Sequence, residues 1–350
     1  MPTCRRAAHR GAVFCLMAAA TMSLLSAPAS AQERTLVVSA FGVSQDLLRK
    51  NLYAPFEAKC RCKIVVNVGN SADRLAKMEA RKANPEVDVA VLSDFNALEA
   101  ATKDLIEPID VKRLKNFNKL HEMAKDPIGN HMGVGYTYFA TSIIYRSDKV
   151  KINSWADLWQ PALKGRVALP NITTTQGPTM LMMVDKAFGG TTPDFATGIQ
   201  KVAELKPNVV TFYERAAQVA QLFQQDEVHA AVVGRFNWPL LKKLNLPLAW
   251  AVPKEGLTGG INVLVVAKNA KNKDLAYALI DDWLSTEVQT KLAMDLVDSP
   301  VNKEVKLPPE VADVLTYGKE TVAGLNLIPP TQMLLRRKNW VDGWNAKIAR

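Results

Sequence analysis

Short apolar segments alternate with amphipathic ones along most of this chain, and the alternation limits the folds open to it. Leu36–Val38, Lys63–Val68 and Val87–Leu92 are apolar or β-branched, as expected of strands covered on both faces. Between the first two, Asp46–Ala58 carries apolar residues at helical spacing. Strands that alternate with helices predict an α/β protein with mostly parallel sheets.

The N-terminal segment has the parts of a secretory signal peptide. Three arginines precede an uncharged stretch from Gly11 to Leu25, and small residues follow up to Ala31. This stretch has about 15 residues, whereas a helix that spans a bilayer needs about 20. We therefore expect residues 1–31 to be a signal peptide cleaved after Ala31. A free secreted protein without a lipid anchor is expected, because apolar residues continue past Cys15.

The formal charge of the 350-residue chain is +10 at pH 7, which is typical of many nucleic-acid-binding proteins. Removing the three arginines of the signal segment lowers the charge from +10 to +7. The remaining basic residues are dispersed among acidic ones, except for Arg336–Lys338, which lies beside Trp340 and Trp344. Dispersed charge and a secreted location argue against a nucleic-acid partner. We predict a C-terminal helix that buries both tryptophans and turns these basic residues outward.

Only two cysteines, Cys60 and Cys62, follow the signal segment. An oxidising compartment permits a disulfide, but a ring closed across one intervening residue is rare. A metal site would need further ligands nearby, and none is present. The favoured interpretation is a turn between a helix and a strand with free thiols, and a Cys60–Cys62 bridge is the alternative.

Two further helices have predicted starting points. Ser71 is a candidate N-cap for a helix through Ala83, with Arg74 and Lys77 on its solvent side. Pro178 is a candidate first residue for a helix that ends at Phe188, before two glycines.

Segments in the second half of the chain carry more specific patterns. Ser154–Gly165 reads SWADLWQPALKG, and Val252–Gly256 reads VPKEG. Together with Ala267–Asn272 and Ser299–Asn302, they resemble the periplasmic solute-binding proteins of ABC importers, specifically the spermidine/putrescine-binding branch. The resemblance covers essentially the whole chain after the signal segment.

The resemblance implies the type II periplasmic-binding-protein fold. In that fold, two α/β lobes, each with a mixed, mostly parallel sheet flanked by helices, hold the ligand in the cleft between them. Applied here, lobe 1 comprises 32–138 plus 259–305, and lobe 2 comprises 139–258 plus 306–350. The chain would cross between them near Tyr136–Thr141 and Lys254–Gly260. We expect the lobes to close around a solute by a hinge motion.

Ligand contacts in this family come from loops that follow the strands, where α/β proteins commonly bind small molecules. Carried over to the matching loops, they predict ligand-binding residues with hydroxyl, amide, charged or aromatic side chains. These are Phe41, Ser44, Gln45, Ser93, Asp94, Phe95, Tyr138, Thr173, Thr175, Gln176, Arg235 and Asn262.

The matched loops depart from the polyamine pattern, in which carboxylates and aromatic walls surround a cation. The family's acidic pair is replaced by the neutral segment Asn171–Gln176. One family tryptophan corresponds to Gly234, and a tryptophan and an aspartate correspond to Gly260 and Asn262. Among the matched loops, only Asp94 adds a carboxylate. Because an unpaired buried ammonium is very unfavourable, the sequence disfavours a polyamine.

Arg235 favours a different ligand class. A guanidinium in a cleft prefers a carboxylate or phosphoryl group, and the start of the helix near Pro178 would also attract an anion. Asp94 could hold an amino group. We therefore predict an anionic or zwitterionic solute, such as an amino acid derivative or an aminophosphonate.

Three other functions are alternatives to this prediction. A true spermidine/putrescine-binding protein is the first. A secreted enzyme on the same two-lobed fold is the second, but the sequence has no G-x-S-x-G motif. A metal-binding protein is the third, but no adjacent tyrosines are present and the histidines are scattered. We expect a monomer without cofactor or metal that works with an inner-membrane ABC permease.

Overall fold

The computed structural model describes residues 34–349, and the predicted signal peptide, 1–31, lies outside the described residues. The elements of the first half are β1 (Arg34–Ala40), α1 (Gln45–Leu48), a π-helical turn (Arg49–Tyr53), α2 (Ala54–Cys60), β2 (Cys62–Val68), α3 (Ser71–Ala80), β3 (Val89–Ser93), α4 (Asp94–Thr102), β4 (Ile106–Glu107), α5 (Glu122–Lys125), β5 (Val134–Arg146), β6 (Val167–Pro170) and α6 (Gln176–Ala187). Those of the second half are α7 (Ala196–Leu205), β7 (Val209–Tyr213), α8 (Gln218–Gln224), β8 (Ala230–Gly234), α9 (Trp238–Lys242), β9 (Leu248–Trp250), β10 (Thr258–Ala267), α10 (Lys273–Trp283), α11 (Thr286–Met294), β11 (Ser299–Pro300), α12 (Pro309–Ala312), α13 (Lys319–Ala323) and α14 (Pro330–Lys347).

The strands form a mixed sheet in the order β2-β1-β3-β10-β5-β8-β6-β7. β1 pairs in parallel with β2 and β3 at one end, and β6 pairs in parallel with β7 and β8 at the other. The two long central strands, β5 and β10, run antiparallel to each other and to their outer neighbours. The alternation of strands and helices that the sequence predicts is therefore confirmed as a mixed α/β fold.

The buried side chains divide into three clusters along this sheet. The first cluster gathers side chains of β1, β2, β3 and β10 and includes Val134, Tyr136 and Tyr138 of β5. The second and third clusters gather side chains around β6, β7 and β8 and include Ile143 and Ile144 of β5. One strand thus contributes to buried clusters at both ends of the sheet.

The helix predicted to begin at Ser71 has a different cap. Asn70 is the N-cap residue, and its Oδ1 accepts a 2.8 Å hydrogen bond from the amide of Asp73. Ser71 is buried, and its Oγ accepts a 2.9 Å bond from the amide of Ser93. The prediction that Arg74 faces solvent is wrong, because this side chain is 1% exposed and its guanidinium lies 4.0 Å from the centre of the Phe41 ring.

The helix predicted to start at Pro178 begins two residues earlier, at Gln176, and Pro178 is buried within its first turn. The missing amide of proline costs nothing there, because the first amides of a helix have no partner within it. The capping box at Ser154 is confirmed, although the turn that it opens, Trp155–Trp159, is a 3₁₀ helix.

Cys60 and Cys62 form a disulfide, so the interpretation with free thiols is wrong. Arg61, the intervening residue, has a left-handed backbone with φ 51° and ends α2. This turn sets the two Cα atoms 5.2 Å apart, within the usual range for a bridge. Backbone geometry that the sequence did not reveal therefore permits the rare short ring.

The C-terminal helix α14 buries Trp340 and Trp344, as predicted. Trp340 stacks on Phe195 at 4.8 Å, and Trp344 meets Phe212 edge-on at 5.0 Å. The prediction that its basic residues all turn outward holds for Lys338, whose side chain is 84% exposed. It fails for Arg337, which lies partly buried over the Phe95 ring. None of the described helices is both long enough and apolar enough to span a bilayer.

The cap assignment predicts a measurable effect on stability. Asn70→Ala removes the side-chain acceptor for the Asp73 amide and should lower the free energy of unfolding by about 1 kcal/mol. Asn70→Gly, which leaves that amide open to water, should cost only a few tenths of a kcal/mol. Urea titration of both variants measures this difference, and equal losses for the two variants would rule out the cap.

Candidate functional site

A cavity of about 140 Å³ lies where β5 passes between the buried clusters. It is bounded by the loop after β1, the central part of β5, the start of α6, the end of β8 and the segment before β11. Its walls are mainly aromatic and aliphatic side chains, with a few polar groups among them. The lining includes Phe41, Leu48, Val91, Tyr136, Thr137, Tyr138, Phe139, Thr175, Gln176, Arg235, Phe236, Asn262, Trp283, Val297, Asp298, Ser299, Val314 and Thr316.

Half of the side chains predicted to bind ligand line this cavity. They are Phe41, Tyr138, Thr175, Gln176, Arg235 and Asn262. They come from five separate parts of the chain, and the parallel and antiparallel pairing around β5 brings them together.

The other predicted residues do not line the cavity. Ser44 adopts a left-handed backbone at the start of α1, and the side-chain amide of Gln45 donates to the carbonyl of Phe41. Ser93 is fully buried and donates a 2.9 Å bond to Oδ1 of Asn96. The side chains of Gln45 and Ser93 are thus held by neighbouring residues.

Phe95 and Thr173 lie in a second group around Arg337, and Asp94 begins α4 next to Phe95. The Phe95 ring is 4% exposed, belongs to the second cluster, and lies 5.0 Å from the Arg337 guanidinium. Arg337 also donates a 2.9 Å hydrogen bond to the carbonyl of Thr173. Burial raises the pKa of Asp94 to about 7, although its carboxylate accepts a bond from the Phe95 amide. The group therefore joins α4 to α14 beside the cavity.

Arg235 begins the turn after β8 and is partly buried at the cavity wall. One terminal nitrogen donates to the carbonyl of Asp313, and the guanidinium lies 4.9 Å from the Trp250 ring centre. Its Nε is buried and has no hydrogen-bond partner among the described residues. Burial lowers the pKa of Arg235, partly offset by the nearby Asp313 carboxylate. An incompletely satisfied guanidinium in a cavity wall is suited to donate a hydrogen bond to an anionic oxygen.

Asp298 is the functional candidate that the sequence analysis missed. It is 7% exposed, lies just before β11, and lines the cavity, whereas Asp94 does not. Its Oδ2 is buried without a hydrogen-bond partner in residues 34–349. Asp298 immediately precedes Ser299–Asn302, one of the segments that carry the family resemblance. The sequence does not show that β11 pairs with β5 at Tyr138.

Aromatic rings occupy the space beside Gly234 and Gly260, the two positions that correspond to tryptophans in the family pattern. A Cβ atom at Gly234 would collide with the Phe236 ring, and one at Gly260 would collide with the Phe139 ring. Both rings line the cavity. Trp283 adds another, 5.0 Å from the centre of the Tyr136 ring. The aromatic walls are therefore supplied by neighbouring positions, and the two glycines make room for them.

A second cavity of about 540 Å³ lies beside α3 and is lined by several basic side chains. Arg81 pairs there with Glu86, and both Lys82 and Lys268 pair with Asp104. These cations already have carboxylate partners and are largely exposed. The smaller cavity, with its buried unpartnered groups, is the better candidate site.

Comparison with known proteins shows the family of the chain. Residues 51–316 match the family model described as bacterial extracellular solute-binding protein. The spermidine/putrescine-binding periplasmic protein of Salmonella typhimurium is 28% identical over 276 residues, which is 75% of this chain and 77% of that protein.

Solved structures show the same architecture. The structure of an ABC transporter from Clostridium perfringens has a TM-score of 0.76 and 34% identity, and it covers 89% of this chain and 99% of that one. A periplasmic binding protein from A. tumefaciens R10 in complex with agropinic acid has a TM-score of 0.75 at 20% identity, with 91% and 99% of the two chains covered. The expected type II periplasmic-binding-protein fold is therefore confirmed.

Asp298 should make the stability of the unliganded protein depend on pH. Burial raises its pKa in the folded state from 3.8 to about 7. A carboxyl group whose folded pKa is raised stabilises the fold fully below its unfolded pKa, and this contribution is lost as pH rises through the folded pKa. Stability should therefore fall between about pH 4 and pH 7, by up to about 4 kcal/mol for this one group.

Urea titrations at several pH values measure this dependence. Asp298→Asn should flatten the curve and be more stable than the wild type at pH 8, whereas Asp94→Asn should remove a separate part of the slope. Identical pH curves for Asp298→Asn and the wild type would show that the Asp298 carboxyl titrates normally.

Proposed function

Because the chain belongs to the bacterial extracellular solute-binding protein family, we propose that it binds a small anionic or zwitterionic organic solute and delivers it to an inner-membrane ABC permease. Members of this family and the matching structures are transport proteins that bind substrates, not enzymes. The secreted-enzyme alternative is therefore set aside. The solute class is inferred from the charged groups of the cavity, with an amino acid derivative or an aminophosphonate as examples.

Arg235 is the observation that carries this proposal. It lines the cavity, and its buried Nε has no partner among the described residues. A carboxylate or phosphonate oxygen would satisfy this donor and compensate the charge. A dicationic polyamine would instead place an ammonium group near a partly buried guanidinium, which is unfavourable in a site of low dielectric constant.

Polyamine binding remains the second candidate, because two observations favour it. Asp298 supplies a buried carboxylate, and Tyr136, Trp283 and Phe139 supply aromatic faces beside it. This combination attracts cations. The presence of Arg235 in the same cavity makes a molecule with both charges the better match.

The remaining parts of the proposal concern location and organisation. The curated relatives are periplasmic proteins, and we propose that residues 1–31 direct this chain there as a cleaved signal peptide without a lipid anchor. We also propose a monomer with lobe 1 formed by 32–138 plus 259–305 and lobe 2 by 139–258 plus 306–350. The division of the buried clusters along β5 supports this assignment.

Calorimetric titration with a panel of solutes tests the solute class. Monocarboxylates, ω-amino acids, an aminophosphonate, putrescine and spermidine should be compared at pH 7.5. We expect an anionic or zwitterionic member to bind at least ten-fold more tightly than either polyamine. Arg235→Gln should weaken that binding by ten-fold or more, because it removes the guanidinium charge.

Arg81→Gln is the matched control, since it removes an exposed arginine outside the cavity and should leave affinity unchanged. Tight binding of putrescine or spermidine, with no response to any anionic solute, would overturn the proposal and establish the polyamine alternative.

A further inference from the structure

We propose that the second cavity, which lies beside α3, is a separate binding site for an organic phosphate with an apolar body. The residues that line it are different from those that line the first cavity, so the inference goes beyond the proposed function. Its volume of about 540 Å³ is within the range of small-molecule sites in proteins. Its walls come from β2, from α3 and the turn after it, from the loop after α4 and from the end of β10.

The face of α3 that borders this cavity is cationic, whereas the face of a helix that lies beside a sheet is usually apolar. Arg74, Lys77 and Met78 lie on this face at helical spacing. Arg81 and Lys82 continue the spacing into the turn that ends the helix. Four of these five side chains are basic, and a cationic stripe along a cavity wall attracts an anion.

Arg74 is the buried cation of this wall, with 1% of its surface exposed. Its guanidinium donates a 3.1 Å hydrogen bond to the carbonyl of Asn70, and 3.4 Å bonds to the carbonyl of Ser39 and the hydroxyl of Ser71. All these acceptors are uncharged, and Arg74 has no carboxylate partner among the described residues. Since a buried charge without a counterion is costly, an anion bound in the cavity would stabilise this side chain.

Lys77 is the second cation without a counterion. It lies one residue before Met78 on the exposed edge of the same face, and its ammonium group has no partner in residues 34–349. The other cations of the wall pair with Glu86 or Asp104. The lining contains five basic and two acidic side chains, an excess of three positive charges. A phosphate monoester, with a charge of about −1.5 to −2 at pH 7, matches this excess better than a monocarboxylate does.

The remainder of the wall is apolar and determines what else the ligand must contain. Val66 and Val68 of β2, Met78, Val87 and Leu105 line it. Val68 is 51% exposed, so an apolar group bound in the cavity would remove part of this side chain from water. A free phosphate ion would leave these side chains uncovered. The geometry therefore points to a phosphate group attached to a hydrocarbon body.

Calorimetry with matched probes tests this assignment. The probes are hexyl phosphate, hexanoate, inorganic phosphate and hexylamine. We expect hexyl phosphate to bind at least ten-fold more tightly than each of the others. Hexanoate lacks the second negative charge, inorganic phosphate lacks the apolar body, and hexylamine has the opposite charge. Binding of hexyl phosphate should also weaken as sodium chloride is added, because Lys77 is exposed to solvent.

Variants of the full chain locate the bound probe. Lys77→Gln should weaken hexyl phosphate about ten-fold, because it removes a charged hydrogen-bond donor, and an exposed lysine can be replaced without disturbing the core. Val68→Thr keeps the branched shape and should weaken hexyl phosphate while leaving inorganic phosphate unchanged. Lys63→Gln is the matched control, since it removes an exposed lysine of β2 that lies outside the lining. Arg235→Gln changes the first cavity alone and should also leave hexyl phosphate binding unchanged.

The outcomes separate this inference from the proposed function. Hexyl phosphate binding that Lys77→Gln leaves unchanged, or that Arg235→Gln abolishes, would overturn the inference, because the probe would then lie outside the second cavity. Equal binding of hexyl phosphate and hexylamine would overturn it as well, since the apolar body alone would then be recognised. Absence of hexyl phosphate binding has the same meaning. None of these results bears on the solute of the first cavity, which the earlier panel tests.

Discussion

The burial of strand β5 is the constraint on which the rest of the structure depends. Most of its side chains are shielded from water, and its backbone pairs with β10 and β9 on one side and with β8 and β11 on the other. Every amide and carbonyl of a buried strand needs a hydrogen-bond partner, so these neighbouring strands must lie alongside β5. The cavity lies where β8 and β11 both stop short on the same side of β5.

Two glycines make room for aromatic rings in the wall of the cavity. Glycine stands at Gly234 and Gly260, and the rings of Phe236 and Phe139 fill the space that a side chain would take. The apolar surface is thus preserved, and the change falls on the charged groups. One carboxylate, that of Asp298, and one guanidinium, that of Arg235, also line this cavity.

The element types and the fold class could be predicted from the sequence, because apolar runs and helical spacing are local signals. The cavity could be predicted only in part. The family resemblance predicted Arg235, Tyr138 and Asn262. Arg235 follows β8, whereas Tyr138 lies within β5 and Asn262 within β10. Asp298 is positioned by the pairing of the two-residue strand β11 with β5. Arg74 is buried against the ring of Phe41, which lies in the loop after β1. Contacts between residues that are distant in the chain produce no periodic pattern in the sequence. The left-handed backbone at Arg61, which permits the disulfide, leaves none either.

Phe95 has a consequence for the energetics of any opening motion. It is carried by α4, which packs beside β3 of the first cluster, yet its ring is buried in the second cluster beneath Arg337. Parting α4 from α14 would expose this ring to water, at a cost of about 2–3 kcal/mol. That cost is independent of what occupies the cavity. This packing therefore stabilises the contact between α4 and α14 through a residue that does not line the cavity.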